Sequence, residues 1–588
     1  MPTNKYLDGS FALRILEGSS ILSSSGRSRP WIVLFLAALV LAPVSPFLAV
    51  VFEGPSGIPA SVRDYRVTGV PPPLPRSASD RLTFSTYLGG AGNDQADAIA
   101  IDGNDNVYVV GSTATPGLAP TSGAFDTTLG GEFDGFVAKL NATGAVAFIT
   151  YIGGSGSDIV LDVSVGGSGS VFISGSTDSA DFPTTVNGFD RTYNGGRDGF
   201  VAELSGDGTA LLYATYLGGT GRDEAAHLAL STSGQVYLAG STFSSDFPTT
   251  LGAYNPAIVG GGSNIFVSRL DLGTGTLVFS TYLGGGLDDS VTDVALDTAG
   301  NAIVVGATDS QDFPTTAAAF DATLAGTDGF VAKLMADGSS LLYSSFVGGS
   351  NTDWVIAAAV TANGVVHATG YTVSTDFPTT EGALSRSYRG GLWDAFVLRL
   401  DLQGGLLYST YLGGAGDDFG RDIAVDSTGA TYAIGSTASS DFPTTPTAIS
   451  TIHSGFADAY FLKLDSSGGS ISYSTYFGGS GSDLPAAFAL DGKGNFSLTG
   501  ATSSADLPVT GGAYSTTLAG SQDAFLAKAR ILEPTTPPGG GAATFPWILV
   551  IGFLGGAAAA VAVVVWLRSR RHRKGPGPPE AQAPGKSS

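Results

Sequence analysis

The sequence predicts an all-β protein: a seven-bladed β-propeller of four-stranded antiparallel blades, closed by an N-terminal strand and followed by a C-terminal transmembrane helix. Two observations carry this expectation. A STYLGG-like stretch recurs seven times, its first glycine falling at Gly89, Gly153, Gly218, Gly284, Gly348, Gly413 and Gly478. The spacings are 64, 65, 66, 64, 65 and 65 residues, and so steady a period marks a repeat architecture. Each period also holds four β-rich segments separated by glycine turns, and seven such units fit a propeller. A solenoid would need capping units with polar outer faces, whereas the terminal copies here look like the middle ones.

Composition bounds the function classes. Charged residues make up 13% and apolar residues 43%, so the chain is no disordered polyampholyte. The 85 glycines show no collagen-like triplet period and sit at recurring turn positions. The net charge of −23 is unevenly placed. Residues 1–30 hold four basic and two acidic side chains, and residues 568–588 hold six and one. The body between them has 18 basic against 48 acidic residues, a net of −30. A phosphate-binding surface needs the opposite sign, so nucleic acid is excluded as a partner. With zero cysteines there are no disulfides, thiolate metal sites or cysteine nucleophiles.

Taken in order, residues 1–52 read as an export signal or signal anchor. Trp31 to Phe52 is an apolar run behind Arg27 and Arg29. Pro43 and Pro46 favour a cleavable signal over a full span, although no small-x-small cleavage site is evident. Residues 53–81, with PPPLP at 71–75, form a stiff linker. The propeller occupies 82–530. In the copy that starts at Asp418, Arg421 to Asp426 and Ala430 to Thr437 make one hairpin across the Gly429 turn. A long excursion follows, then Ala457 to Asp465 and Ser470 to Gly479. A Pro/Gly-rich linker, 531–546, leads to a transmembrane helix at 547–567. Its 21 residues span about 30 Å at 1.5 Å each, with Trp547 and Trp566 near the interfaces. Residues 568–588 are a basic tail. Arg568, Arg570, Arg571, Arg573 and Lys574 place the C-terminus in the cytoplasm and the propeller outside the cell.

The composite pattern STYLGGxGxD, IAVDxxGxxYxxGST, SxDFPTT and DGFVAKL resembles the SBBP family of β-propeller repeats over residues 82–530. The resemblance implies a seven-bladed propeller, commonly in exported or surface proteins, and implies no shared catalytic residues. The first copy departs from it with LeuAlaProThrSer at 118–122, and the last has DLPVT from Asp506. The tight-turned IAVD segment resembles the inner pair of NHL-type blades, which makes STYLGG the outer strand. The chain then opens with a lone outer strand, Leu82 to Leu88. It ends with three strands near Ala486 to Asp491, Asn495 to Thr502 and Asp523 to Lys528. One plus three closes the ring and removes free sheet edges.

Catalytic signals are sparse. Of the four histidines, His227, His367, His453 and His572, none has metal-ligand spacing. His227 lies four residues after Asp223 and could pair with it. The glycine strings lack a GK[ST] ending and are not phosphate loops. The recurring GGxGxD places Asp94, Asp158, Asp223, Asp289, Asp353, Asp418 and Asp483 beside glycine turns. That resembles the calcium nonapeptide of RTX proteins, which makes calcium the one candidate cofactor. Calcium needs six to eight oxygens, however, and one Asp per crossover supplies at most two. The alternative is that each Asp caps its own turn by accepting backbone N–H groups. The DFPTT excursions from Asp181, Asp246, Asp312, Asp376 and Asp441 read as ordered loops, either for contact or as rim padding. They should share one acidic face with the crossovers, with the short DxxG turns on the other. Asn141 and Asn495 lie in glycosylation sequons. These features point to a membrane-anchored surface module that binds a surface protein or glycan, or builds the envelope. The rival is a propeller enzyme, a lyase or hydrolase, with its site at the axial mouth. Nearly interchangeable blades argue against it, because an active site needs one blade to differ chemically.

Overall fold

The computed structural model describes residues 81–114 and 118–532. The expected export segment, both linkers (apart from Arg81, Ile531 and Leu532), the transmembrane helix and the basic tail lie outside the described residues. Among the described residues no helix is long and apolar enough to cross a membrane.

The described chain forms 28 strands in seven four-stranded antiparallel sheets. Blade 2 is typical, with strands Asp158–Val165, Val171–Thr177, Asp198–Leu204 and Leu211–Leu217. Its inner strand alternates between buried and half-buried positions, because one side packs on neighbouring blades and the other faces the axis. Its second strand is buried throughout, so it reads as a run without polar alternation, as strands covered on both faces do. The inner strands pack side by side around the ring, Asp483–Leu490 returning against Asp94–Ile101.

The ring closes as the strand phase requires. Leu82–Leu88 pairs antiparallel with Asp523–Arg530, from Leu82 opposite Ala529 to Leu88 opposite Ala524. Blade 7 therefore combines the first strand of the propeller with its last three. One consequence concerns both ends of the described chain. Arg530 donates its N–H to the Arg81 carbonyl at 2.8 Å, and Ile531 donates to Gly494 in a short turn at 2.9 Å. Both ends thus leave from the short-turn face, opposite the GGxGxD crossovers.

The excursions do more than span one face. From the crossover face each runs down the outer edge of its own blade. In blade 2, Thr185 donates its N–H to Ala214 and Tyr216 donates to Asp190, both at 3.0 Å. The exposed edge of every outer strand is covered in this way, which blunts edge-to-edge association. The motif phenylalanine anchors the start of the excursion inside the blade. Phe182 lies 4.5 Å from Phe200 between ring centroids, and Phe247 stacks on Phe266 at 4.3 Å. The divergent first blade keeps the edge contact without the DFP signature, Thr121 donating to Ile149 at 3.0 Å.

A β-bulge recurs in every inner strand. The register slips between Val160 and Asp162 in blade 2, and between Val291 and Asp293 in blade 4. A bulge adds a residue and re-aims side chains. Here it turns the fourth and fifth residues of each inner strand toward the axis.

Removing residues 82–90 should abolish the cooperative unfolding of the ring. Leu82, Phe84, Tyr87 and Leu88 are all buried. At about 1.5–3 kcal/mol each, their loss rivals the whole net stability of a typical domain, about 5–15 kcal/mol. Removing residues 53–70 should leave the melting temperature unchanged. Equal losses from the two truncations, read by calorimetry, would contradict the closure.

Candidate binding face and axial cavity

The seven GGxGxD aspartates are fully buried at the crossover face, one at the start of each inner strand. Each accepts the N–H of the second glycine through Oδ2. Gly90 donates to Asp94, Gly219 to Asp223, Gly285 to Asp289, Gly349 to Asp353 and Gly479 to Asp483, all at 2.7 Å. Gly154 to Asp158 and Gly414 to Asp418 measure 2.8 Å. In blades 2 to 7 a serine hydroxyl from the same blade donates to that oxygen, as Ser244 does to Asp223 at 2.6 Å. A threonine at the end of the second strand donates to Oδ1 of Asp94, Asp289 and Asp483, all at 2.5 Å, whereas Oδ1 of Asp158, Asp223, Asp353 and Asp418 has no hydrogen-bond partner among the described residues. Through Oδ2 these carboxylates cap their turns and tie each crossover to the blade it opens. Among the described residues no group of three or more His, Asp or Glu is placed to hold a metal.

A second carboxylate faces each cap, and sequence reading missed it. The Asp that opens each third strand, Asp134, Asp198, Asp328, Asp394, Asp458 or Asp523, meets the cap across the first glycine. Blade 3 has Asn264 instead. A Cβ placed on Gly218 would lie 2.8 Å from Asp198 Oδ1 and 3.0 Å from Asp223 Oδ2, so the glycine is required by close approach. Burial and the facing Asp push Asp198, Asp328, Asp394 and Asp458 up to about 7. Oδ1 of each of these four has no hydrogen-bond partner among the described residues.

The motif Asp of DFPTT grips the incoming crossover. Oδ1 of Asp181 accepts the Ser155 N–H at 2.8 Å, Asp246 that of Thr220 at 2.9 Å, and Asp376 that of Ser350 at 2.9 Å. These backbone donors hold the carboxyls of Asp181, Asp246 and Asp376 below the usual range. The DFPTT and GGxGxD motifs therefore meet on one face, while the rest of each excursion lies along the rim.

Blade-specific chemistry lies on the axis. The bulged residues open a cavity of about 500 Å³ lined by Asp97, Asp162, His227, Asp293, Arg421 and Asp422, among others. Asp162, Asp293 and Asp422 occupy the same inner-strand position in alternate blades. Each accepts its successor's N–H through Oδ1, from Val163, Val294 and Ile423, all at 2.7 Å. Through Oδ2 each accepts an N–H from the next blade: Leu228 at 2.8 Å, Ala358 at 2.8 Å and Phe488 at 2.9 Å. Burial raises Asp162 to about 7, Asp293 to about 6 and Asp422 to about 8. Burial lowers His227 to about 4, so its imidazole is neutral at physiological pH. The suggested His227–Asp223 pair does not form: Asp223 is bonded to its crossover, and His227 lines the cavity. Of the sequon residues, Asn141 is exposed in a short turn, whereas Asn495 donates its amide to Asp491.

This population of raised carboxyls sets the pH dependence. Groups with folded values near 6 to 8, against about 3.9 in the unfolded chain, bind more protons when folded. Their stabilising contribution is complete below pH 4 and is lost as pH rises toward 8. The melting temperature should therefore rise from pH 8 to about pH 5. The variant Asp198→Asn, which adopts the arrangement of Asn264, should flatten this slope and melt higher than the wild type at pH 8. A maximum at neutral pH, or a destabilised variant there, would contradict the assignment.

Three stretches, residues 83–116, 278–314 and 407–443, match the family described as SBBP, beta-propeller repeat. No curated protein matches the chain. Among solved structures, the chain is similar to a protein of unknown function from Dyadobacter fermentans, with 11% identity over 77% of this chain and 99% of that one, at a TM-score of 0.35. It is also similar to quinohemoprotein alcohol dehydrogenase from Comamonas testosteroni, with 9% identity over 79% and 78% of the two chains and a TM-score of 0.37. A gluconolactonase from Xanthomonas campestris shares 11% identity over 57% of this chain and 81% of its own, with a TM-score of 0.27. Likenesses this distant carry no functional argument. Repeat motifs, family matches and blades agree: the chain carries SBBP beta-propeller repeats at these three stretches, within a seven-bladed propeller.

Proposed function

We propose that this chain is a membrane-anchored surface protein whose propeller is a binding module presented with its crossover face outward. The supporting observation is that both ends of the described propeller leave from the short-turn face. An anchor at residues 547–567 would then hold that face toward the bilayer and turn the crossover face and the axial mouth away from it. The body charge of −30 repels polyanions, so the ligand is neutral or basic. Binding is favoured over catalysis because Asp162, Asp293 and Asp422 commit both carboxylate oxygens to backbone N–H groups. One observation favours the enzyme as a second reading: the blades are not interchangeable on the axis, where His227 and Arg421 each occur once.

The absence of cysteine allows a direct test. Leu287→Cys, at an exposed crossover position, should react with a membrane-impermeant maleimide on intact cells. Ser588→Cys should react only after permeabilisation. Labelling of the tail from outside, or none at position 287, would overturn the reading.

A further inference from the structure

The crossover face departs from its seven-fold repetition most strongly at one place. In blade 5, Trp354 is the second residue of the inner strand, and Tyr371 lies directly opposite it on the second strand. Trp393 immediately precedes the third strand, and Phe419 is the second residue of the next blade's inner strand. Elsewhere the Tyr371 position holds serine or alanine, as at Ser112, Ser241 and Ala501. The rings pack as a cluster. Tyr371 meets Trp393 at 5.0 Å and 87°, and Phe419 at 5.2 Å and 77°. Trp354 lies nearly parallel to Tyr371, at 6.4 Å and 18°.

Three features separate this cluster from ordinary core. All four rings are only half-buried, at the open end of the sheets, and the adjoining Leu392 is 70% exposed. The indole N–H groups of Trp354 and Trp393 and the Tyr371 hydroxyl have no hydrogen-bond partner among the described residues. Arg421 also links the cluster to the axial cavity: its Cζ lies 5.6 Å over the Phe419 ring, and it lines the cavity wall. An aromatic surface with free polar handles beside a polar cavity suits a ligand with an apolar face and a hydroxylated edge.

We propose that Trp354, Tyr371, Trp393 and Phe419 form a platform that binds a neutral saccharide ring. The C–H face of the sugar lies on the aromatic cluster. Its hydroxyls accept from the two indole N–H groups and exchange a hydrogen bond with Tyr371, and the chain of sugars runs toward Arg421 and the axial mouth. The net negative charge of the body repels acidic sugars. This rests on the binding reading above and names its ligand class.

Trp354 and Trp393 are the two tryptophans of residues 82–530, so they report the site. Detergent-solubilised full-length protein is titrated with cellohexaose, maltohexaose and chitohexaose, with hexagalacturonate as the acidic comparison. At least one neutral hexasaccharide should shift the tryptophan emission, and hexagalacturonate should not. Isothermal titration should show affinity falling about tenfold or more in Trp393→Ala. Tyr371→Phe, which keeps the ring, should melt like the wild type and bind more weakly. No emission change with any neutral sugar up to about 10 mM, the weak limit of specific binding, would overturn the platform. So would binding that survives Trp393→Ala, or tighter binding of hexagalacturonate. The maleimide experiment reads display separately: an external label without sugar binding removes the platform alone, and sugar binding without an external label removes the display alone.

Discussion

The structure depends on one repeated knot, the buried aspartate that opens each inner strand. It accepts a glycine N–H from the crossover that has just arrived, and a hydroxyl from the blade it begins, as Asp223 does from Gly219 and Ser244. A carboxylate satisfied by several donors in a buried site is a strong, directional fastener, and removing it strands every donor at once. Since a knot stands at every junction between blades, a sequence with few charges can hold seven sheets in one register. The same geometry explains the glycines: at Gly218 two carboxyl groups approach so closely that a Cβ would collide with both.

Function is confined by this arrangement. The knots bury the most regularly repeated carboxylates and engage Oδ2 of each cap, and the DFPTT aspartates grip the crossovers. What remains for a ligand lies where the repeat is broken. On the axis, bulges expose side chains that vary among the blades, and Asp162, Asp293 and Asp422, in alternate blades, tie neighbouring inner strands together. With seven blades the alternation cannot close. Blades 7 and 1, with Ala487 and Ala98 at this position, are the one adjacent pair of which neither carries the Asp of blades 2, 4 and 6. The clasps join blades 2 and 3, 4 and 5, and 6 and 7, and the junction of blades 7 and 1 is held instead by the closing strand Leu82–Leu88 in blade 7.

Much of this was legible in the sequence. Period, strand number and strand phase followed from the glycine spacing and the unmatched Leu82–Leu88 segment, and the turn-cap role of the Asp followed from its glycine neighbours. The facing carboxylates are the D of DGFVAKL, to which the sequence assigns no role, because it does not show which side chains meet across a crossover. Asp162, Asp293 and Asp422 recur only at every second repeat, and a bulge decides that they face the axis. The excursions read as contact loops or padding, and their edge-covering role needed the hydrogen bonds of Thr185 and Asp190. The aromatic cluster joins residues 354, 371, 393 and 419, which look like unrelated exceptions until two blades are set side by side.

The most direct test of the account is calorimetry of Asp223→Ala beside Asp207→Ala, each with calcium and with a chelator. Asp223 is a knot, and Asp207 is an exposed short-turn residue. If the carboxylate is the fastener, Asp223→Ala should cost about 3–5 kcal/mol, because several buried donors lose their acceptor. Asp207→Ala should cost under about 1 kcal/mol, and the wild-type melting temperature should not respond to chelation. A wild type that loses stability on chelation, with Asp223→Ala no worse than Asp207→Ala in its absence, would show that a bound cation holds the crossovers.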